Sequence, residues 1–277
     1  MIRGFLRTIA KGLTEAGAAA QSLFGDRTLA RPLKRDRFVA GINRDSCLEI
    51  GPFDNPVLRG ERVRYFDILD REALVIRAGQ HARSFSGVPE IHYVSPTGDL
   101  RIVDRRFDCI LSSHVIEHQP DLVRHLQDVG NLLADGGAYY AIVPDKRYCF
   151  DRFNALTEIG DVLDAHIDRR RVHTPSAVRD HLENVTHNNA LRHWLGHHGM
   201  PAIEKNSGIR AAAQLACGRA ARGEYVDVHA WMFTPGSFVE IVTELNRRGL
   251  TPLVPEFVSD TRFGSQEFYA RLTKAAA

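Results

Sequence analysis

A chain of 277 residues, 44% hydrophobic and 25% charged, is long enough to bury a full core, which excludes a disordered or fibrous protein. Its formal charge of +2 is too small for a phosphate-tracking surface, so no nucleic-acid partner is expected. Cys47, Cys109, Cys149 and Cys217 are scattered without a CxxC pair, which argues against a disulfide scaffold and suits buried thiols in a reducing compartment, the cytoplasm.

In chain order, residues 1–24 place Phe5, Ile9, Leu13 and Leu23 at helical spacing opposite Arg3, Arg7 and Lys11. The pattern predicts an amphipathic helix docking on the domain, and Lys11, Thr14 and Glu15 interrupt it too often for a membrane span. Residues 47–50 read as a buried strand ending in Glu49 and broken by Gly51-Pro52. A second apolar run over 63–68 carries Asp67, eighteen residues after Glu49. In a βαβ unit that spacing returns the chain to the adjacent parallel strand, where a terminal carboxylate can accept ribose hydroxyls of a nucleotide.

A helix is predicted over 71–82, a short strand over 91–94 and a central strand over 107–113, apolar and closed by Ser112-Ser113. Leu122, Leu126, Val129 and Leu133 predict a helix over 121–133, with Gly136-Gly137 as its stop, followed by a strand over 138–143. Order lapses from 145 to 224, rich in histidine, and resumes with a helix over 237–248 and a strand pair over 253–258 and 267–272. Alternating strands and helices imply a doubly wound α/β sheet with ligands outside the strands' carboxyl ends.

Together, Glu49-Ile50-Gly51, Tyr65-Phe66-Asp67-Ile68, the run from Phe107 to His118, and Leu133-Ala134-Asp135-Gly136-Gly137 resemble the motifs of class I S-adenosylmethionine-dependent methyltransferases, in their small-molecule branch. The resemblance implies a Rossmann-like seven-stranded sheet, mostly parallel with a C-terminal antiparallel hairpin. It divides the chain into a lead-in (1–40), a cofactor-binding half (41–144), an inserted lid for substrate (145–224) and a closing helix and hairpin (225–277). It implies S-adenosylmethionine as cofactor, held by Glu49, Gly51, Asp67, Asp99 and Ser113. Phe53 and Asn55 stand where the family's second and third glycines fall, a loss that counts harder against a dinucleotide, whose pyrophosphate needs the close approach.

Without an Asn-Pro-Pro-Tyr run after the central strand, the chain is unlike nucleic-acid amino methylases, and oxygen of a small molecule or glycan is the expected acceptor. His114 or His229 is the expected general base, having an imidazole suited to neutral pH. Asp145, Arg147, His193 and Trp194 are expected to meet the substrate. No metal is assigned, although His114, Glu117 and His118 would share one face of a helical turn and a metal-dependent enzyme using them is a rival reading. The other rivals are a noncatalytic scaffold of the same fold and a dinucleotide oxidoreductase.

Overall fold

Alternation along Phe107-Asp108-Cys109-Ile110-Leu111 sends Ile110 to one face of the sheet and Cys109 and Leu111 to the other, and all three are wholly buried. The computed structural model describes residues 29–42 and 45–275, and the helix predicted over 1–24 lies outside them. The strands are β1 (Leu29–Ala30), β2 (Cys47–Ile50), β3 (Val63–Asp67), β4 (Tyr93–Val94), β5 (Phe107–Ser113), β6 (Leu133–Pro144), β7 (Leu253–Ser259) and β8 (Glu267–Lys274). They form one sheet in the order β1-β7-β8-β6-β5-β2-β3-β4. Only β8 runs against its neighbours. Seven strands follow the expected topology, and the eighth is the two-residue β1 along β7.

One face is covered by helices α3 (Leu122–Leu132) and α9 (Pro235–Arg247), whose Leu126, Val129, Phe238 and Val242 join Leu48, Ile110 and Phe268 in the larger core. The other carries α1 (Arg35–Ala40), whose Phe38 stacks on Tyr269 and meets Tyr140 edge-on. Helix α2 (Arg71–Gln80) is capped by Asp70, and α3 by Asp121, each side chain accepting an amide hydrogen of the first turn. No helix among the described residues is long and apolar enough to cross a membrane, and all four cysteines are buried thiols.

Gly136-Gly137 does not stop α3. The helix ends at Leu132, and β6 starts at once, pairing Leu133 with Phe107 before a register shift. Gly136 takes φ 75, and a Cβ on Gly137 would stand 3.0–3.1 Å from the carbonyl oxygens of Ala134, Phe107 and Asp108. The glycine pair therefore serves a bulged strand entry, where carbonyls crowd the backbone.

Between β6 and α9 the expected irregular segment is helical: α4 (Ile159–Ile167), α5 (Pro175–Asn184), α6 (Ala190–Trp194), α7 (Ala202–Lys205) and α8 (Gly208–Ala221). Its apolar residues are sparse because α5 and α8 close only a small core of their own, Val178, Cys217, Ala220 and Val228. Val162 and Ala165 of α4 join the main core. The two ends of the segment meet in a parallel bridge, Asp145 to Phe233, where the Lys146 amide donates to the Phe233 carbonyl at 2.9 Å.

Within α3, Gly130 faces the start of β7, and a Cβ there would lie 2.5 Å from Pro252 Cγ. Replacing a helical glycine by alanine normally gains about 1 kcal/mol. Overpacking against the Pro252 ring costs about 1–3 kcal/mol. Gly130→Ala is therefore expected to lower the urea midpoint, and a variant as stable as the parent or more so would refute this packing.

Candidate functional site

At the carboxyl ends of β2, β3 and β5 lies a cavity of about 1220 Å³, lined from Glu49, Gly51 and Asp67 at one end to His118, Tyr225 and His229 at the other. This is where a doubly wound sheet places its ligands.

The first wall is the turn after β2. Gly51 sits at φ 68, and a Cβ on it would come 2.7 Å from Val115 Cγ2, so both conformation and space demand glycine. Phe53 also has a positive φ, 45, at the position where the family's second glycine falls. A side chain in that region costs of order 1–3 kcal/mol and persists only where its surroundings hold it. Here the hold is Glu49, whose Oε1 accepts from the Val57 amide and Oε2 from the Leu58 amide, both at 2.8 Å. Burial lifts the Glu49 pKa to about 7 against the pull of those two amides. Glu49 thus lines the cavity while using both oxygens to brace the turn.

Asp67 ends β3 inside the cavity, with Oδ1 accepting from the Leu69 amide at 3.1 Å. Burial raises its pKa to about 6. Ser113 also lines the cavity, its Oγ accepting from Arg35 at 2.9 Å. Asp99 is absent from the lining: it caps the turn Leu100–Ile102 and pairs with Arg101 at 2.6 Å. The register of that turn brings Gly98 and Leu100 to the wall instead.

At the far end the chain after β5 turns sharply. His114 has φ 55, and the short helix Ile116–His118 follows. His114 Nε2 lies 3.0 Å from Glu267, and its Nδ1 lies 3.6 Å from Glu117. Burial opposes its charge, yet the neighbouring carboxylates of Glu117 and Glu267 outweigh burial and raise its pKa to about 9. The raised value favours the imidazolium at neutral pH, a state without the free lone pair that a general base uses.

Glu117 is wholly buried, and neither carboxylate oxygen has a hydrogen-bond partner. Burial alone would raise its pKa, but the imidazoles of His114, His229 and His118 reverse that and lower it. His229 is oriented by Asp151, 2.6 Å from its Nδ1, and its Nε2 faces Glu117 at 3.8 Å. His118 follows the same plan less tightly, with Nδ1 3.0 Å from Asp227 and Nε2 4.0 Å from Glu117. Asp227 is in turn paired with Arg77. Beside this group His173 is buried with both ring nitrogens unpartnered, and burial, with the neighbouring charge of His118, lowers its pKa to about 4.

None of the four residues expected to meet substrate lines the cavity. Asp145 is wholly buried, chelated by Arg147 at 2.6 Å and bonded by Thr261 at 2.6 Å, so both are occupied in joining β6 to the hairpin. Trp194 stacks on Tyr148 at 3.8 Å and donates its indole N–H to the Ser265 carbonyl. His193 is spent on the His187 carbonyl and on His198. The segment instead presents Phe150, Asn188 and Tyr225 to the cavity. Asp151, Asp227, Arg35 and Glu267 carry site geometry without any local sequence signal, since each acts on a histidine or serine distant in the chain.

A family model described as a methyltransferase domain matches residues 25–204. No curated protein matches the chain significantly. Among solved structures, a complex of DhpI with SAH is 13% identical over 96% of this chain and 88% of that one, with a TM-score of 0.43. The CcbJ methyltransferase from Streptomyces caelestis is 11% identical over 87% and 88%, at 0.42. A Rhodobacter sphaeroides protein described as a Zn-dependent alcohol dehydrogenase is 16% identical over 94% and 98%, at 0.45.

The folded pKa of His114, about 9, lies above the ordinary 6.5, so its pairs with Glu117 and Glu267 stabilise the fold fully below about 6.5 and are lost as pH rises through 9. Urea denaturation of parent and His114→Gln across pH 6–10 is expected to show a stability gap that narrows with rising pH. A constant gap would contradict the charged assignment.

Proposed function

The chain belongs to the methyltransferase-domain family, and on that premise we propose that it transfers the methyl group of S-adenosylmethionine to an oxygen of a small-molecule or glycan acceptor. One observation carries the reading: a single cavity of about 1220 Å³ joins the Gly51 and Asp67 wall to the buried Glu117, His118 and His229 group. Ligand pockets usually span about 300–1,000 Å³, so this one has room for a donor and a second reactant.

In this reading the donor lies along the turn after β2, its ribose hydroxyls donating to Asp67 and its sulfonium end directed toward Ser113 and His114. Glu49 acts as a positioning residue through the turn that it braces. The acceptor oxygen attacks the methyl carbon in line, the C–S electron pair stays on sulfur, and the acceptor's proton must leave as the C–O bond forms. Activation of the acceptor is assigned to His229, whose Nδ1–H donates to Asp151 and so leaves the lone pair on Nε2. His114 instead supplies a fixed positive charge beside the strand end. Residues 145–224 serve as the acceptor-side cover, and Phe150, Asn188 and the following Tyr225 line the cavity there. The buried thiols fit a cytoplasmic enzyme.

Calorimetric titration with S-adenosylmethionine should show saturable binding that Asp67→Ala weakens at least about tenfold. The raised pKa values of Glu49 and Asp67, about 7 and 6, set the sign of the pH effect: affinity is flat well above both and falls as these carboxylates protonate below them. Loss of affinity on raising pH instead would remove Asp67 from the ribose. With methyl-labelled donor and a panel of hydroxylated small molecules and glycans, His229→Ala should keep donor affinity within about threefold and cut turnover roughly 10²-fold. Unchanged turnover would overturn the role of His229.

A further inference from the structure

We propose that Glu117, His118 and His229 form a binding site for one divalent transition-metal ion, zinc being the simplest match, with an open position toward the cavity. The site stands apart from the methyl-transfer reading; its use in holding and ionising the acceptor oxygen rests on that reading, and with an ion bound His229 acts on the acceptor as a ligand of that ion rather than through a free Nε2.

Three independent features carry the inference. A carboxylate oxygen of Glu117 and one ring nitrogen each of His118 and His229 all lie within 4.8 Å of one another. Two histidines and one glutamate are an established catalytic zinc set, in which a fourth position is left for water or substrate. An ion about 2.1 Å from each ligand would bring such atoms to roughly 3.4 Å separation, so the separations shorten by at most about 1.4 Å.

The second feature is the outer shell. Metal-bound histidines characteristically give their other ring nitrogen to a carboxylate, which fixes both tautomer and ring direction. Asp151 does this for His229 at 2.6 Å, and Asp227 lies 3.0 Å from the corresponding nitrogen of His118. Both arrangements leave Nε2 as the atom facing Glu117.

The third is Glu117 itself, with no exposure and no hydrogen-bond partner on either oxygen. A buried carboxylate needs compensating partners, and a cation held between it and two neutral imidazoles is such a partner. His114 is not a ligand of this site. Its Nε2 is turned to Glu267, and the third ligand comes from His229 on the return from the helical segment.

The full chain, stripped with chelator and dialysed, is to be titrated with Zn²⁺ by calorimetry, with Co²⁺ absorption as a second reading of the ligand set. One ion per chain is expected, with a melting temperature that rises with zinc. Glu117→Gln, His118→Ala and His229→Ala should each weaken binding roughly 100-fold or more, and Asp151→Asn about 10- to 100-fold. His193→Ala is the control for adventitious capture, because His193, His187 and His198 form a second imidazole cluster. It should stay within about twofold. Absence of saturable binding and of Co²⁺ bands in the folded parent overturns the site, as does binding that survives Glu117→Gln and His229→Ala but vanishes with His193→Ala. Titration of the same samples with S-adenosylmethionine separates the two readings: donor binding without an ion removes only the metal site, and an ion without donor removes only the donor assignment.

Discussion

Glu117 is the constraint around which the site is organised. Its carboxylate has no exposure and no hydrogen bond, an arrangement that is unstable in a protein interior unless opposite charge or coordinating groups surround it. Its backbone works as hard. The Glu117 carbonyl accepts from the amides of Ala230 and Trp231 at 2.7 and 3.2 Å, while the Trp231 indole donates to the Gln119 carbonyl at 2.6 Å. One residue therefore anchors the return of the chain to the sheet through its carbonyl and gathers the imidazoles through its carboxylate.

The turn after β2 shows a different solution to a familiar demand. A close-approach loop is ordinarily built from glycines, which need no outside support. Here a single glycine remains at the point of contact with Val115, and Phe53 adopts a left-handed conformation nearby. Two amide hydrogen bonds to Glu49, the Asp54 pair with Arg83, and Arg83 over the Phe53 ring provide the support from outside the loop. The acid at the end of β2 has become the frame of the turn.

The sheet was legible because its signals are local: a continuous apolar run in β5, an acid closing β3, a one-sided apolar stripe in α9. Ser113, Asp67 and Gly51 reach the cavity for the same reason, since strand ends fix their direction. The polar residues of the helical segment were not legible. Asp145-Lys146-Arg147 looks in sequence like a charged edge beside a ligand, and only Thr261, 116 residues away, reveals that the carboxylate is already satisfied. Likewise, reading His114, Glu117 and His118 as one helical face assumed uniform backbone geometry. The left-handed His114 breaks that periodicity, and the imidazole that completes the group is His229, oriented by an aspartate 78 residues distant.

The bridge between Asp145 and Phe233 has an evolutionary consequence. With both ends of the segment fastened to the sheet at one point, stretches away from Asp151, Val162 and Ala165 can lengthen while the strands beneath keep their register, because doubling a loop costs only about 0.6 kcal/mol of closure entropy. Beyond those residues the helical segment is an exchangeable cassette, one that could be rewritten between two fixed rivets while the floor of the cavity stays untouched.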